Sequence, residues 1–241
     1  MPGTSKGIKA SRSRRPLPAS STQAELLEIY HRLYARFGPQ HWWPAEHPFE
    51  VIIGAVLTQN TSWKNVEKAI SRLREKDFLN PKALHQISEK DLSSLIRSSG
   101  YFNIKARRIK ALIEFIFNAY SGSLDAMFSE QRAVLRERLL SVKGIGPETA
   151  DSILLYAGGF PVFVVDAYTR RIFSRHDHID YSDDYRKIQN YFMERLPERT
   201  DIYNEYHALI VKTGKLFCKK VAVCSTCPLN DLFDNKPEPN I

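Results

Sequence analysis

Apolar residues recur at helical spacing along most of the chain. From Thr22, whose spacing to Glu25 is that of a capping box, they return every three or four positions until Gly38, which predicts an amphipathic helix. The stretch 49–57 is apolar on nearly all sides and predicts a buried central helix. The same periodicity predicts further helices at 66–73, 88–98, 104–118, 129–141, 147–157, 167–175, 183–195 and 202–217. The pattern therefore predicts an all-α chain of about ten short helices.

Two segments depart from this pattern. Val162–Val165 is strand-like, but it is too short and isolated to form a sheet. Residues 1–22 contain few apolar side chains and cannot offset their ordering entropy, so we expect a disordered tail. The tail could be an electrostatic arm for a phosphate backbone or an inert extension, and the sequence leaves both open. Its basic residues are Lys6, Lys9, Arg12, Arg14 and Arg15.

The composition narrows the class of protein. With 241 residues, 43% hydrophobic and 26% charged, the chain has the makeup of a soluble globular protein of one large or two small domains. It has no apolar run near the ~20 residues of a membrane span and no secretory signal, so we expect a cytoplasmic protein. The net charge of +8 favours a polyanionic partner such as nucleic acid, although other basic proteins share it. Lys105, Arg107 and Arg108, on the predicted helix 104–118, are expected to contact phosphates.

Residues 143–150 join two predicted helices and carry a phosphate-binding signature. Gly144 and Gly146 allow backbone angles closed to other residues and leave main-chain N–H groups exposed around Ile145. The proline that follows suits the first turn of the next helix. Amides at the positive end of a helix dipole, with the charge of Lys143, would hold a phosphate oxygen. We predict a helix-hairpin-helix that contacts a nucleic-acid backbone without reading its sequence, rather than an ordinary turn.

Asp166 ends an apolar segment and begins a predicted helix. Aspartate is a favoured N-cap residue, and that role alone would explain it. The order of hairpin, apolar segment and Val165-Asp166, with residues 56–61 and the cysteine-rich C-terminus, resembles the helix-hairpin-helix DNA glycosylases of the endonuclease III superfamily over residues 23–233. The resemblance implies that Asp166 is catalytic, acting on the water or on the developing sugar cation. A helix N-terminus helps keep a carboxylate ionised, so both roles can hold.

Glu148 stands where bifunctional members of this superfamily carry a nucleophilic lysine. A carboxylate cannot form a Schiff base with the deoxyribose carbon. Lys143 precedes the glycines, and nothing in the sequence suggests that it reaches the sugar. The resemblance therefore implies a monofunctional glycosylase that uses water, with Glu148 beside the substrate.

Four segments in order are similar to the 3-methyladenine DNA glycosylase III branch of the superfamily. The resemblance implies that Trp42 and Trp63 face the extruded base. An N3-alkylated adenine is cationic, so electron-rich rings would select it by cation–π attraction. Both tryptophans could instead be core packing, and Trp43 is expected to be structural. The segments are Trp42-Trp43-Pro44, Leu57–Thr61 with Trp63, Gly100–Ala106 and Gly144–Asp151.

Gln59 matches the superfamily residue that fills the gap left by a flipped-out nucleotide. Flipping a base costs a few kcal/mol, and a polar side chain inserted into the gap offsets part of that cost. The alternative is that Gln59 caps a helix end.

Three cysteines stand where the resemblance to endonuclease III implies four, and Phe233 occupies the expected fourth position. A [4Fe–4S] cluster normally takes four thiolates, and zinc would meet the same shortage. Asp231 or Asp234 could supply an oxygen ligand. We expect no cofactor to be required for the chemistry and no stable cluster, although the segment follows the plan of a cluster site. The cysteines are Cys218, Cys224 and Cys227.

Together these features predict a two-domain all-α glycosylase with its active site in the interdomain cleft. Residues 40–160 would form a helical barrel that contains the hairpin, and residues 23–39 with 161–241 would form the second domain. The expected function is excision of alkylated purines such as 3-methyladenine from damaged duplex DNA by a monomer. The alternatives are an endonuclease III-like glycosylase and AP lyase acting on oxidised pyrimidines, and a lesion-binding module without catalysis.

Overall fold

The computed structural model describes residues 19–232, and in this range the chain is all-α with no strand. The predicted tail lies outside the described residues, apart from residues 19–22, which are helical and belong to the first helix. A 3₁₀ turn spans Arg97–Ser99 and a π-helical turn spans Ile153–Ala157. The helices are α1 (Ala19–Phe37), α2 (Pro48–Leu57), α3 (Trp63–Glu75), α4 (Pro81–Gln86), α5 (Glu89–Leu95), α6 (Phe102–Tyr120), α7 (Leu124–Phe128), α8 (Arg132–Ser141), α9 (Pro147–Ser152), α10 (Ala167–Arg175), α11 (Tyr185–Met193) and α12 (Thr200–Leu216).

Helices α1, α4 and α7 depart from the sequence pattern. The pattern does not predict α4 and α7, because helices this short have too few turns to show periodicity. Each begins at a side-chain cap, since Asn80 accepts the N–H of Ala83 and Ser123 accepts the N–H of Ala126. Because α1 begins at Ala19, Thr22 lies inside the helix and is not its N-cap.

The predicted buried central helix is confirmed. Residues 49–57 of α2 are all buried, and the helix packs against α3, α6, α9 and the π-helical turn. Gly54 lets an indole ring reach this helix, because a Cβ there would lie 3.1 Å from Cζ2 of Trp43. The loop 58–62 that follows is half-buried or exposed. None of the helices between residues 19 and 232 has the length and apolarity that crossing a membrane requires.

The second helical group packs around α12, which contacts α1 and α10. The hydroxyl of Tyr206 on α12 donates to the carbonyl of Leu26 on α1 at 2.8 Å. Phe163, in the extended and buried segment before α10, stacks on Phe192 of α11 with centroids 4.2 Å apart. The π-helical turn contacts both α2 and α12, so it joins this group to the group around α2.

Asp151 is a fully buried carboxylate that ties three helices together. Arg136 on α8 donates to both of its oxygens, at 2.7 and 3.0 Å. Gln189 on α11 donates to its Oδ2 at 2.7 Å and also to the carbonyl of Phe163 at 2.7 Å. These contacts raise the pKa of Arg136, chiefly through its hydrogen bond to Asp151. Asp151 therefore links the hairpin helices to the second group.

Lys105 is buried in α6, which corrects the expectation that it contacts phosphates. Its Nζ donates to the carbonyls of Leu57 at 2.8 Å and Ser99 at 2.6 Å. Burial lowers the pKa of Lys105 to about 8, and the nearby charge of Arg108 contributes in the same direction. Lys105 thus ties the end of α2 to the turn before α6, whereas Arg107 is exposed.

Candidate active site in the cleft between the two helical groups

A cleft of about 800 Å³ separates the hairpin and the end of α2 from the start of α10. This volume lies within the usual range for ligand sites. Among the described residues, Trp42, Trp63 and Lys143 do not line it. The predicted site residues that do line it are Gln59, Gly144, Ile145, Gly146, Glu148 and Asp166.

Asp166 is both the N-cap of α10 and a wall of the cleft. Its Oδ1 accepts the backbone N–H of Thr169 at 2.7 Å and the hydroxyl of Thr169 at 2.9 Å. The side chain is 13% exposed, and its Oδ2 lies 3.8 Å from Nε2 of His207. The cap fixes one oxygen of the carboxylate and leaves the other without a hydrogen bond from the cap.

Glu148 lies in the first turn of α9 and shares the cleft with Asp166. The residue is exposed to solvent, and the protein around its carboxyl group desolvates that group in part. This desolvation raises the pKa of Glu148 to about 7, and the negative charge of Asp166 adds to the rise. Near neutral pH the site therefore pairs Asp166 with a second carboxyl group that takes up a proton readily.

The hairpin is anchored at its centre and open at its flanks. Lys143 and Gly146 are exposed, while Ile145 is buried and its N–H donates to the carbonyl of Val142 at 3.0 Å. Gly144 has φ +91, in the left-handed region that favours glycine. The side chain and N–H of Ile145 are both used inside the fold, so it anchors the loop, and its predicted contact with the nucleic-acid backbone stays a prediction.

Gln59 is held at the cleft by the hairpin and by α6. Its Nε2 donates to Oγ1 of Thr149 at 2.9 Å and to the carbonyl of Gly144 at 3.3 Å, and its Oε1 accepts from Nη1 of Arg108. A Cβ at Gly144 would lie 2.4 Å from Cγ of Arg108, so this glycine lets the arginine pass. The side chain of Gln59 reaches across the cleft wall instead of capping α2, and its use as a wedge stays a prediction.

The three tryptophans form one cluster beside the cleft. The rings of Trp42 and Trp63 have centroids 5.5 Å apart at 49°, and Trp43 contacts both. Rings at this separation touch each other, so no slot for a base lies between them in this state. Trp63 also donates its indole N–H to Glu67 at 2.7 Å. The pairing of Trp42 with Trp63 around a base therefore stays a prediction that requires one ring to move.

Sequence reasoning missed two residues behind this site and one exposed aromatic residue that does not line the cleft. Tyr156 and His207 lie behind Asp166, where the hydroxyl of Tyr156 meets Nδ1 of His207 at 2.5 Å. The only signal was a single histidine inside the apolar run 207–211 of α12. Tyr101 is 68% exposed with φ +45 at the start of α6, next to the turn that Lys105 ties to α2.

The cysteine segment, as placed, does not fit a metal site. Within residues 19–232 no three His, Cys, Asp or Glu side chains are arranged to hold a metal ion, and the cavity between the cysteines measures about 20 Å³. The sulfur of Cys218 accepts from Nη1 of Arg175 at 3.2 Å, and Asp231 pairs with Arg32 at 2.7 Å. Phe233 and Asp234 lie outside the described residues. The absence of a stable cluster stays a prediction.

Comparison with known proteins agrees with this geometry. The sequence profile of the HhH-GPD superfamily base excision DNA repair proteins matches residues 53–198. The chain is 46% identical over 212 residues to MJ1434 of Methanocaldococcus jannaschii, a protein assigned as a DNA repair glycosylase, and the match covers 88% of this chain and 96% of that one. It is 30% identical to the endonuclease III of Sulfolobus acidocaldarius, covering 76% and 80% of the two chains.

Solved structures share the fold. The 3-methyladenine DNA glycosylase MagIII of H. pylori, bound to 1,N6-ethenoadenine, superposes with a TM-score of 0.69 at 30% identity over 83% of this chain and 98% of that one. An endonuclease III–DNA complex superposes with a TM-score of 0.75 at 24% identity, over 88% and 95%. The chain belongs to the HhH-GPD superfamily and is a DNA N-glycosylase of base excision repair.

The two hairpin glycines should respond differently to alanine. Gly146 has φ −94 and open space where a Cβ would stand, so the fold gives no reason for glycine there. If DNA phosphates approach its backbone, Gly146→Ala should bind undamaged duplex roughly fivefold more weakly, while the unfolding free energy is unchanged or slightly higher. Gly144→Ala should also lower the unfolding free energy by about 1–2 kcal/mol, because alanine disfavours the positive φ of this position and its Cβ would clash with the side chain of Arg108. Titration of a labelled duplex and urea unfolding measure both quantities. Parent-like affinity in Gly146→Ala would show that phosphates do not approach this backbone.

Proposed function

We propose that the protein is a monofunctional glycosylase that removes alkylated purines, such as 3-methyladenine, from damaged duplex DNA, and that it acts as a monomer. The observation that carries the proposal is the pairing of Asp166 with Glu148 in one cleft. The cleft holds a carboxylate suited to assist hydrolysis, and the position of the lyase nucleophile carries no amine. The 30% identity to the 3-methyladenine DNA glycosylase of H. pylori supports the alkylpurine substrate.

The chemistry requires little beyond Asp166 and water. The bond from C1′ of the sugar to the base nitrogen breaks, and its electron pair leaves with the base. An alkylated purine already carries positive charge, so it departs without prior protonation. The oxygen of a water molecule bonds to C1′, and its proton passes to a carboxylate. Asp166 Oδ2 would oppose the positive charge that builds on the sugar and accept that proton.

The cationic base would meet an electron-rich surface at the edge of the cleft. Trp43 contacts the ring of Tyr156 with centroids 5.3 Å apart, which links the tryptophan cluster to the residues behind Asp166. Rotation of Trp42 or Trp63 would open a face for stacking, and a cationic ring gains from such a face through cation–π attraction. Tyr101, exposed at the start of α6, and Gln59 are suited to fill the space that the base leaves in the duplex.

The lining of the cleft disfavours an AP lyase. A lyase needs an amine to form a Schiff base at the sugar, and no lysine lines the cleft in the described part of the chain. Arg108 is its one cationic side chain there and is engaged by Gln59. The intact Asp166 likewise disfavours a lesion-binding module without catalysis.

A set of lesion-bearing duplexes tests the proposal. Each duplex carries either a labile N3-alkylated adenine, introduced by methylation, or one oxidised pyrimidine, and is incubated with the enzyme. We expect strand breaks at the alkylated purines only after alkali, because a monofunctional enzyme leaves an intact abasic site. A no-enzyme sample subtracts spontaneous depurination. Breaks without alkali would contradict the monofunctional mechanism, and cutting confined to oxidised pyrimidines would contradict the substrate class.

A further inference from the structure

We propose that His207 is a positioning residue that directs its Nε2–H at the catalytic carboxylate of Asp166, and that Tyr156 sets the tautomer of His207. This inference rests on the proposed function only in taking Asp166 as the catalytic group. It assigns a role to two buried residues that the reaction as described above does not use.

The three side chains lie in line behind the cleft. His207 is on the buried face of α12 and is 6% exposed. Its Nδ1 lies 2.5 Å from the hydroxyl oxygen of Tyr156, and its Nε2 lies 3.8 Å from Oδ2 of Asp166. Among the described residues this Nε2 has no hydrogen-bond partner, and Oδ2 of Asp166 is the carboxylate oxygen that lies within 4 Å of it. Asp166 is therefore the one anionic group that this nitrogen faces.

Burial decides which nitrogen carries the proton. Desolvation lowers the pKa of His207, more than the charge of Asp166 raises it, so the imidazole is neutral and has one N–H. Desolvation likewise raises the pKa of Tyr156 well above its ordinary value, so its hydroxyl keeps its proton and donates to Nδ1. The imidazole N–H then lies on Nε2, facing the carboxylate. The other tautomer would face a lone pair toward a negative charge in a water-poor site.

Because Nε2 of His207 and Oδ2 of Asp166 are 3.8 Å apart, their present contact is a charge–dipole interaction and not a hydrogen bond. A shift of about 1 Å would make it a hydrogen bond, and such contacts often tighten when substrate binds. The Thr169 cap holds Oδ1, so the N–H of His207 is what orients the remaining oxygen. The two helices pack closely beside this contact, because Tyr168 of α10 lies over Gly214 of α12, where a Cβ would come within 2.2 Å of its ring.

Two amide substitutions separate positioning from packing. The amide of glutamine reaches the place of Nε2, whereas that of asparagine reaches the place of Nδ1. His207→Gln should therefore keep a donor toward Asp166, and His207→Asn should keep only the contact with Tyr156. We expect single-turnover excision to fall less than roughly threefold in His207→Gln and about tenfold or more in His207→Asn, with duplex Kd unchanged in both. The excision rate of Tyr156→Phe should fall between those of the two amide variants, because without the hydroxyl either nitrogen of His207 can carry the proton.

The experiment uses full-length protein and whichever lesion duplex the parent enzyme cuts. Failure of the proposed substrate class would thus show in the parent, independently of the comparison between variants. Equal rates in His207→Asn and His207→Gln, whether both parent-like or both slow, would overturn the inference, since a packing role does not distinguish the two amides. The Tm of each variant is measured by thermal unfolding. Excision rates are then compared well below the lowest Tm, so that unfolded protein does not contribute to the differences.

Discussion

Asp166→Asn should bind damaged duplex as tightly as the parent and excise the base roughly 10²–10³-fold more slowly in a single turnover. Asparagine has nearly the same shape and is an equally good N-cap, so its amide oxygen can keep the hydrogen bonds of Thr169 to Oδ1. The negative charge is lost, and an NH2 group replaces the Oδ2 that faces His207. That charge matters most when the sugar becomes cationic, and therefore the chemical step slows while binding does not.

A second N-cap supplies the matched control. Asp184 begins α11 and accepts the backbone N–H of Lys187 at 2.8 Å, in the manner of Asp166 on α10, but it does not line the cleft. Asp184→Asn should excise at the parent rate. A no-enzyme sample corrects for the spontaneous loss of labile bases. If Asp166→Asn, so corrected, also worked at the parent rate, Asp166 would be a helix cap and not a catalytic group.

Asp151→Asn should lower the unfolding free energy by about 3 kcal/mol, the cost of removing one partner from a buried ion pair. Asp151 is fully buried and receives two hydrogen bonds from Arg136 and one from Gln189. The neutral amide leaves the guanidinium of Arg136, whose side chain is 23% exposed, without a countercharge. One amide oxygen also cannot accept all three donors. Urea unfolding followed by circular dichroism measures the change.

An exposed pair provides the comparison. Asp201 pairs with Arg199 at the surface, where both side chains are more than 60% exposed. Because water screens this pair, Asp201→Asn should change the unfolding free energy by less than about 1 kcal/mol. A loss at Asp151 as small as that at Asp201 would show that the buried carboxylate does not hold α8, α9 and α11 together.

Much of the fold could be predicted from periodicity. The apolar repeat along α1, the continuous apolar run of α2 and the two glycines of the hairpin are local signals, because helix amphipathicity and turn chemistry depend on neighbouring positions in the chain. The short helices α4 and α7 have too few turns to show a repeat of apolar residues. Asp166 was found from its order after the hairpin, although N-capping alone explains an aspartate there equally well.

Local sequence signals predicted an all-α chain with a glycine hairpin and an aspartate at the start of a helix, and the family resemblance implied that Glu148 stands where a lyase carries lysine. Which polar residues meet depends on how the helices pack against one another. In the packed structure Lys105 is buried and donates to two carbonyls, and Trp42 contacts Trp63. His207 lies behind Asp166, although the two residues are 41 positions apart in the sequence. The physical reason is that hydrophobic burial has no direction. It selects which face of a helix turns inward, whereas hydrogen bonds between helices depend on the rotation and offset at which those faces finally pack.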